Sequence, residues 1–172
     1  MRAVLIILLI FSTPVLSKEA CDLGSIGLDQ DSPLAEQLFY TGTCHFRNKD
    51  YDRSVENWSK LTSLENVAPE YEELQIDVLN NLGYMKFFGY GTEKDQWAAI
   101  EYWKQAILMG HEEAEYHLCH AYADHNEPTY TLARARKHCK KALLIYNGME
   151  KPDLEILDDI KFYLARLDGA NS

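Results

Sequence analysis

Residues 82–122 read LGYMKFFGYGTEKDQWAAIEYWKQAILMGHEEAEYHLCHAY, and the end of this stretch begins to repeat its start. A shift of 36 positions lays Leu82 on Leu118, Gly83 on Cys119, Ala99 on Ala135, Trp103 on Cys139 and Ala106 on Ala142. A shift of 45 lays Asp50 on Asp95, Ser54 on Ala99 and Trp58 on Trp103. Small residues recur where helices must approach, and large ones where a gap must be filled. Recurrence over this period builds stacked scaffolds, because a single helical unit cannot bury its apolar face and leans on the next. Such a chain is constrained by stacking rather than by a catalytic pocket.

Apolar periodicity between prolines and glycines predicts seven helices, in three antiparallel pairs plus a terminal one. Pro33 opens the first, over 34–47. The turn Asn48-Lys49-Asp50 leads to the second, over 51–64, with Val55, Trp58 and Leu61 on one stripe. Pro69 opens the third, over 70–88, where Leu74, Val78, Leu82 and Met85 share a face. Gly89-Tyr90-Gly91 ends it. Asp95 caps a fourth helix reaching about residue 109, with Ala99, Trp103 and Ala106 inward. The fifth covers 112–123. The sixth covers 129–146 and stops at Asn147-Gly148. The last covers 152–167, and residues 168–172 are read as a frayed end.

The chain has 172 residues, and its amino end reads as an export signal. Met1 and Arg2 precede an unbroken apolar run over 3–11, and small residues at Val15 and Ser17 place the cut after Ser17. The run is shorter than the ~20 residues that span a bilayer. Lys18 stands where a lipidation signal before Cys21 wants Leu. The organisation expected is a signal peptide over 1–17, an arm over 18–32 and a helical domain over 33–167.

Removing residues 1–17 takes away Arg2 and no acid. It leaves 16 basic against 27 acidic side chains, a formal net charge of −11. A chain so charged repels phosphate backbones and anionic membrane surfaces, so neither nucleic acid nor a membrane is an expected partner. A basic protein would be steered towards it. Four cysteines remain, Cys21, Cys44, Cys119 and Cys139. An even number in an exported chain implies two disulfides, with three pairings open.

Leu82-Gly83, Gly89, Gly91, Asp95, Ala99, Tyr102-Trp103, Ala106, Gly110, Ala114, Leu118 and Tyr122 stand at fixed offsets. On these residues the stretch 78–122 resembles the Sel1-like repeat, a relative of the tetratricopeptide repeat. Val78, Lys86 and Thr92 depart from the family pattern. Over 112–146 the likeness weakens, since the loop lacks glycines and Cys119 fills a Gly slot. The stretch 34–64 is nearer an ordinary tetratricopeptide repeat, with Leu38, Gly42, Ser54 and Trp58 in its slots. The resemblance implies an all-α fold: a short right-handed solenoid of about three antiparallel helical hairpins plus a terminal helix. In that register Cys119 and Cys139 face each other across one hairpin, and a Cys21–Cys44 bridge ties down the arm. These are the two bridges expected.

No nucleophile elbow, phosphate loop or zinc-protease motif occurs, so no catalytic residue is assigned. Gly89-Tyr90-Gly91 follows a helix and lacks a third glycine, which excludes a dinucleotide fingerprint. His117 and His120 are three residues apart near Glu113, but without a familiar ligand spacing; neither metal nor cofactor is expected. The acidic clusters Glu70/Glu72/Glu73 and Glu112/Glu113/Glu115 complement positive helix starts. Arg134, Arg136, Lys137, Lys140 and Lys141 read as a solvated face.

Stacked hairpins line a concave wall with their first helices. The expected rows are Phe39, Thr43 and Phe46, then Asn80, Tyr84 and Phe87, then Tyr116 and His120. Aromatics there suit a protein or peptide ligand, unless they pack between neighbouring pairs. Sel1-like proteins generally act as adaptors. The implied function is an exported, monomeric interaction module in the periplasm or secreted medium, an adaptor or inhibitor of another protein. The alternatives are an accessory or structural part of an envelope assembly, and an enzyme acting on cell-wall material or beta-lactams.

Overall fold

The computed structural model describes residues 20–169; the signal expected over 1–17 lies outside them. The described chain is all-helical and contains no strand. Its elements are α1 (Leu34–Arg47), α2 (Tyr51–Thr62), a 3-10 turn (Pro69–Tyr71), α3 (Glu72–Phe88), α4 (Gln96–Leu108), α5 (Ala114–Ala123), α6 (Leu132–Gly148) and α7 (Leu154–Gly169).

Most helix ends follow local chemistry. The Asp95 carboxylate accepts from the Ala98 amide at 2.9 Å and caps α4. Several ends fall two or three residues from the expected bounds, those of α6 and α7 among them. α6 starts at Leu132, because Thr129 is fully buried and its hydroxyl donates to the Ala121 carbonyl at 2.5 Å. At its far end α6 runs through Asn147-Gly148 instead of stopping there. Asp168 and Gly169 continue α7 instead of fraying, since Leu167 is buried and its carbonyl accepts from Arg136 at 2.7 Å.

α1 packs on α2, α3 on α4, and α5 on α6; α2 also meets α3, α4 meets α5, and α7 lies against both α5 and α6. The first two pairs close by one device. A Cβ on Gly42 would sit 2.5 Å from the Trp58 ring, and one on Gly83 would sit 2.5 Å from the Trp103 ring. Each indole N–H donates to the carbonyl three residues before its glycine: Trp58 to Phe39 at 3.3 Å and Trp103 to Asn80 at 3.1 Å. Both rings are buried, at 2% and 1% exposure. In the third pair a disulfide takes this place, Cys119–Cys139, with α-carbons 4.5 Å apart. Cys21–Cys44 joins the arm to α1. By chain entropy, loops of this size gain about 3 kcal/mol per bridge.

The pairs are also locked to one another. Gly91 has φ +62°, and a Cβ there would lie 2.3 Å from the Tyr51 carbonyl group. The loop after α3 therefore seats directly on the first turn of α2, a contact open only to glycine.

Gly83→Ala should lower stability despite the ~1 kcal/mol that alanine gains in a helix over glycine. Displacing a buried, hydrogen-bonded indole costs more, roughly 2–4 kcal/mol from overpacking and the lost bond. Gly148→Ala meets nothing within 4 Å and should not lower it. Thermal unfolding of the two variants checks the opposite signs; a Gly83→Ala protein as stable as the parent would refute the closure argument.

Candidate partner-binding face

Four of the expected wall residues come together. Phe39, Thr43 and Phe46 on α1 and Tyr84 on α3 line a recess of about 160 Å³, completed by Trp58 and Asn81. The Thr43 hydroxyl donates to the Phe39 carbonyl at 2.8 Å, so it is spent inside the helix. The recess is left largely apolar.

The other four sit elsewhere. Phe87 is fully buried, 5.4 Å from the Trp103 ring, and belongs to the core. Asn80 is only 4% exposed, and its backbone carbonyl holds the Trp103 indole. Both lie a step around α3 from Tyr84, turned towards α4. Tyr116 and His120 are covered by α7: the Tyr116 hydroxyl donates to Asp159 at 3.0 Å, and the His120 ring stacks on Tyr163 at 5.7 Å. The expected third row is therefore the bed of the terminal helix.

A run of rings that the sequence rows did not include extends the face. Phe46 meets Tyr51 at 5.7 Å, and Tyr51 stacks on Tyr90 at 5.0 Å. Tyr90 stacks on Phe88 at 5.7 Å, and Tyr84 packs on Phe88 at 4.8 Å. Phe88 reaches His120 at 6.2 Å, and Tyr163 continues to Phe162 at 5.7 Å. This ribbon crosses from α1 to α7, and Phe88, Tyr90 and Phe162 are 36%, 37% and 55% exposed. Each ring pair adds about 0.5–1.5 kcal/mol beyond its buried area, so the exposed rings are held in place. The available signal for Tyr90 was an aromatic between two loop glycines, where no helix side shelters it.

The rings themselves are uncharged at neutral pH, and the Arg166 guanidinium lies 5.4 Å over the last of them, Phe162. Burial, and then the neighbouring Tyr90 and Tyr51, raise the Tyr84 phenol above its ordinary value. Burial does the same for Tyr163, with Asp124 and Asp159 adding to it. Burial also lowers the His120 imidazole below its usual range, which keeps it neutral at neutral pH.

Beside the ribbon, His117 stacks on Trp103 at 5.1 Å and meets Glu113 at 3.1 Å, so it is 8% exposed rather than open to solvent. Its hydrogen bond is the main cause that holds the Glu113 carboxyl below the usual range. Among the described residues no group of three or more His, Cys, Asp or Glu side chains is placed to hold a metal ion.

Glu115 stands in the first turn of α5 as expected, but is only 3% exposed, with His138 at 2.8 Å and Lys141 at 2.5 Å. Burial pushes its carboxyl up, but hydrogen bonds from His138 and Lys141 outweigh that and leave it lowered. The basic residues of α6 are likewise not a purely solvated face: Lys141 is tied to Glu115, Arg136 to α7, and Arg134 lies over the Tyr122 ring.

No family model, curated protein or solved structure matches the chain.

Acid should remove stability in two stages. The folded protein disfavours the charged His120, so this contribution is complete above the ordinary imidazole pKa and is lost as the pH falls below about 6.5. Glu113 and Glu115 are lowered, so theirs is present above the ordinary carboxyl value and is lost as the pH falls through their folded values. Urea unfolding between pH 3 and 8 reads both stages. His120→Leu should erase the first and Glu115→Gln should reduce the second; unchanged profiles would sink the assignment.

Proposed function

We propose that this chain is an exported protein-recognition module, a short right-handed solenoid of Sel1-like helical hairpins that acts as an adaptor or inhibitor of a secreted or periplasmic protein. The observation that carries this reading is the exposed ribbon of ordered rings beside the recess at Phe39, Thr43, Phe46 and Tyr84. Rigid aromatics bring large contact area at low entropic cost, the composition of interface hot spots. The repeated seating of Trp58 on Gly42 and Trp103 on Gly83 supports the hairpin-repeat part of the reading. Export is supported by the two disulfides, which persist in oxidising compartments. Among the described residues no helix is long and apolar enough to cross a membrane.

The test is affinity capture from the native host's envelope extract with the oxidised chain, run against two variants. Phe88→Ala with Tyr90→Ser should lose a stoichiometric partner, costing about 2 kcal/mol or more of binding, while the lost ring pairs lower the thermal midpoint but leave the chain folded at the capture temperature. Leu108→Ser, 86% exposed on α4, should keep it. A partner retained by the ring variant would reject this face as the binding surface.

A further inference from the structure

A second concavity lies along α3 from the rings. A cleft of about 620 Å³ is walled by the start of α3, the α4–α5 connection, the end of α6 and the start of α7. Five carboxylates line it, Glu73, Asp77, Glu112, Glu113 and Asp153, over an apolar bed of Ile76, Met149 and Ile156. Among the described residues no Lys or Arg lines it; His111 lies 3.4 Å from Asp77. The starts of α3, α5 and α7 contribute roughly half a positive charge each, so the helix dipoles leave most of the negative charge uncompensated.

A second observation is independent of the acids. Tyr146 also lines the cleft: the residue as a whole is only 3% exposed, and its hydroxyl, which makes no hydrogen bond among the described residues, faces the open space of the cleft. The side chain is held by its surroundings while the hydroxyl opens into the cleft, free to bond a group that enters it. Burial, then the Glu113, Asp153 and Glu112 carboxylates, raise its pKa far above the phenol range, so it stays a neutral hydroxyl with a lone pair to offer.

We propose that this cleft receives the cationic side chain, Arg or Lys, of a basic partner segment, with Glu73, Asp77 and Glu112 around the charge and the Tyr146 hydroxyl accepting one of its N–H groups. This rests on the reading of the chain as a protein-binding module and narrows the ligand. Asp77, Tyr84 and Phe88 stand seven and four residues apart on α3 and share one face. Asp77 and Phe88 are about 16 Å apart along the helix axis. An extended peptide covers that in about five residues. The segment that fits has its basic residue about five positions from an aromatic or apolar anchor.

The experiment is amide NMR of the full oxidised chain titrated with the blocked peptide acetyl-Arg-Gly-Ser-Gly-Ser-Trp-amide, with a second peptide in which neutral citrulline replaces Arg, and with a third in which Ser replaces Trp. The Arg peptide should move the amides of Gly110, His111, Glu112 and Met149, and citrulline should weaken binding about tenfold. Glu73→Gln with Asp77→Asn should weaken the Arg peptide about tenfold, and Tyr146→Phe several-fold at unchanged thermal midpoint. Equal affinity for the citrulline peptide, or shifts scattered over other acidic surfaces, overturns the proposal. Shifts at Tyr84 and Tyr90 without any in the cleft overturn it and leave the aromatic face standing. Silence at both ends removes both.

Discussion

The fold depends on indole rings laid on glycines. An indole resting on bare backbone brings two helices closer than any side-chain contact allows, and its N–H satisfies a carbonyl that the close approach would otherwise desolvate. Trp103 does more than close its own pair. Its ring meets Phe87 at 5.4 Å and His117 at 5.1 Å, so it joins α4 to α3 and to α5. Phe46, 5.7 Å from Trp58, ties the first closure to the aromatic ribbon in the same way. The ribbon's order is thus inherited from the core beneath it. Where the register substitutes Cys119 for glycine and Cys139 for tryptophan, covalent bonding replaces ring packing at the same position between the helices.

Features set by local chemistry or strict register were legible in the sequence. Asp95 announces a helix start, Gly83 and Trp103 recur at fixed offsets, and the register that pairs Trp103 with Gly83 also pairs Cys139 with Cys119. What could not be read was the docking of α7. A terminal helix has no repeat partner to fix its position, so Tyr116 and His120 looked like open wall although Asp159 and Tyr163 cover them. The inward turn of Asn80 and Phe87 was missed for a related reason. A helix face is known from periodicity only to about one residue step, and that step separates Tyr84 from the core. Tyr90 was hidden behind its glycines, which were read for their backbone freedom alone.

Covering the third row changes the shape of the candidate surface. An open wall would offer three equivalent strips. With α7 against α5 and α6, the ribbon bends from α1 across α3 and ends on the exposed Phe162. Its rings are neutral at neutral pH: tyrosines are protonated there, and burial lowers the His120 imidazole. Charge reaches the ribbon at its α7 end, where the Arg166 guanidinium lies 5.4 Å over the Phe162 ring.

The distribution of basic residues explains where the chain's net negative charge is felt. α6 carries a cluster of cations, but Lys141 answers the buried Glu115, Arg136 holds the end of α7, and Arg134 lies on the Tyr122 ring. None of these cations lines the acidic cleft. The carboxylates at the starts of α3, α5 and α7 then face water over an apolar bed, a low-dielectric wall that concentrates their field. At ordinary ionic strength this field decays over about 8–10 Å, so it acts on what has already reached the surface and orients it. In the proposed binding mode, neutral rings hold an apolar anchor and an acidic cleft at the other end of α3 fixes its direction, so one helix face would carry both adhesion and polarity.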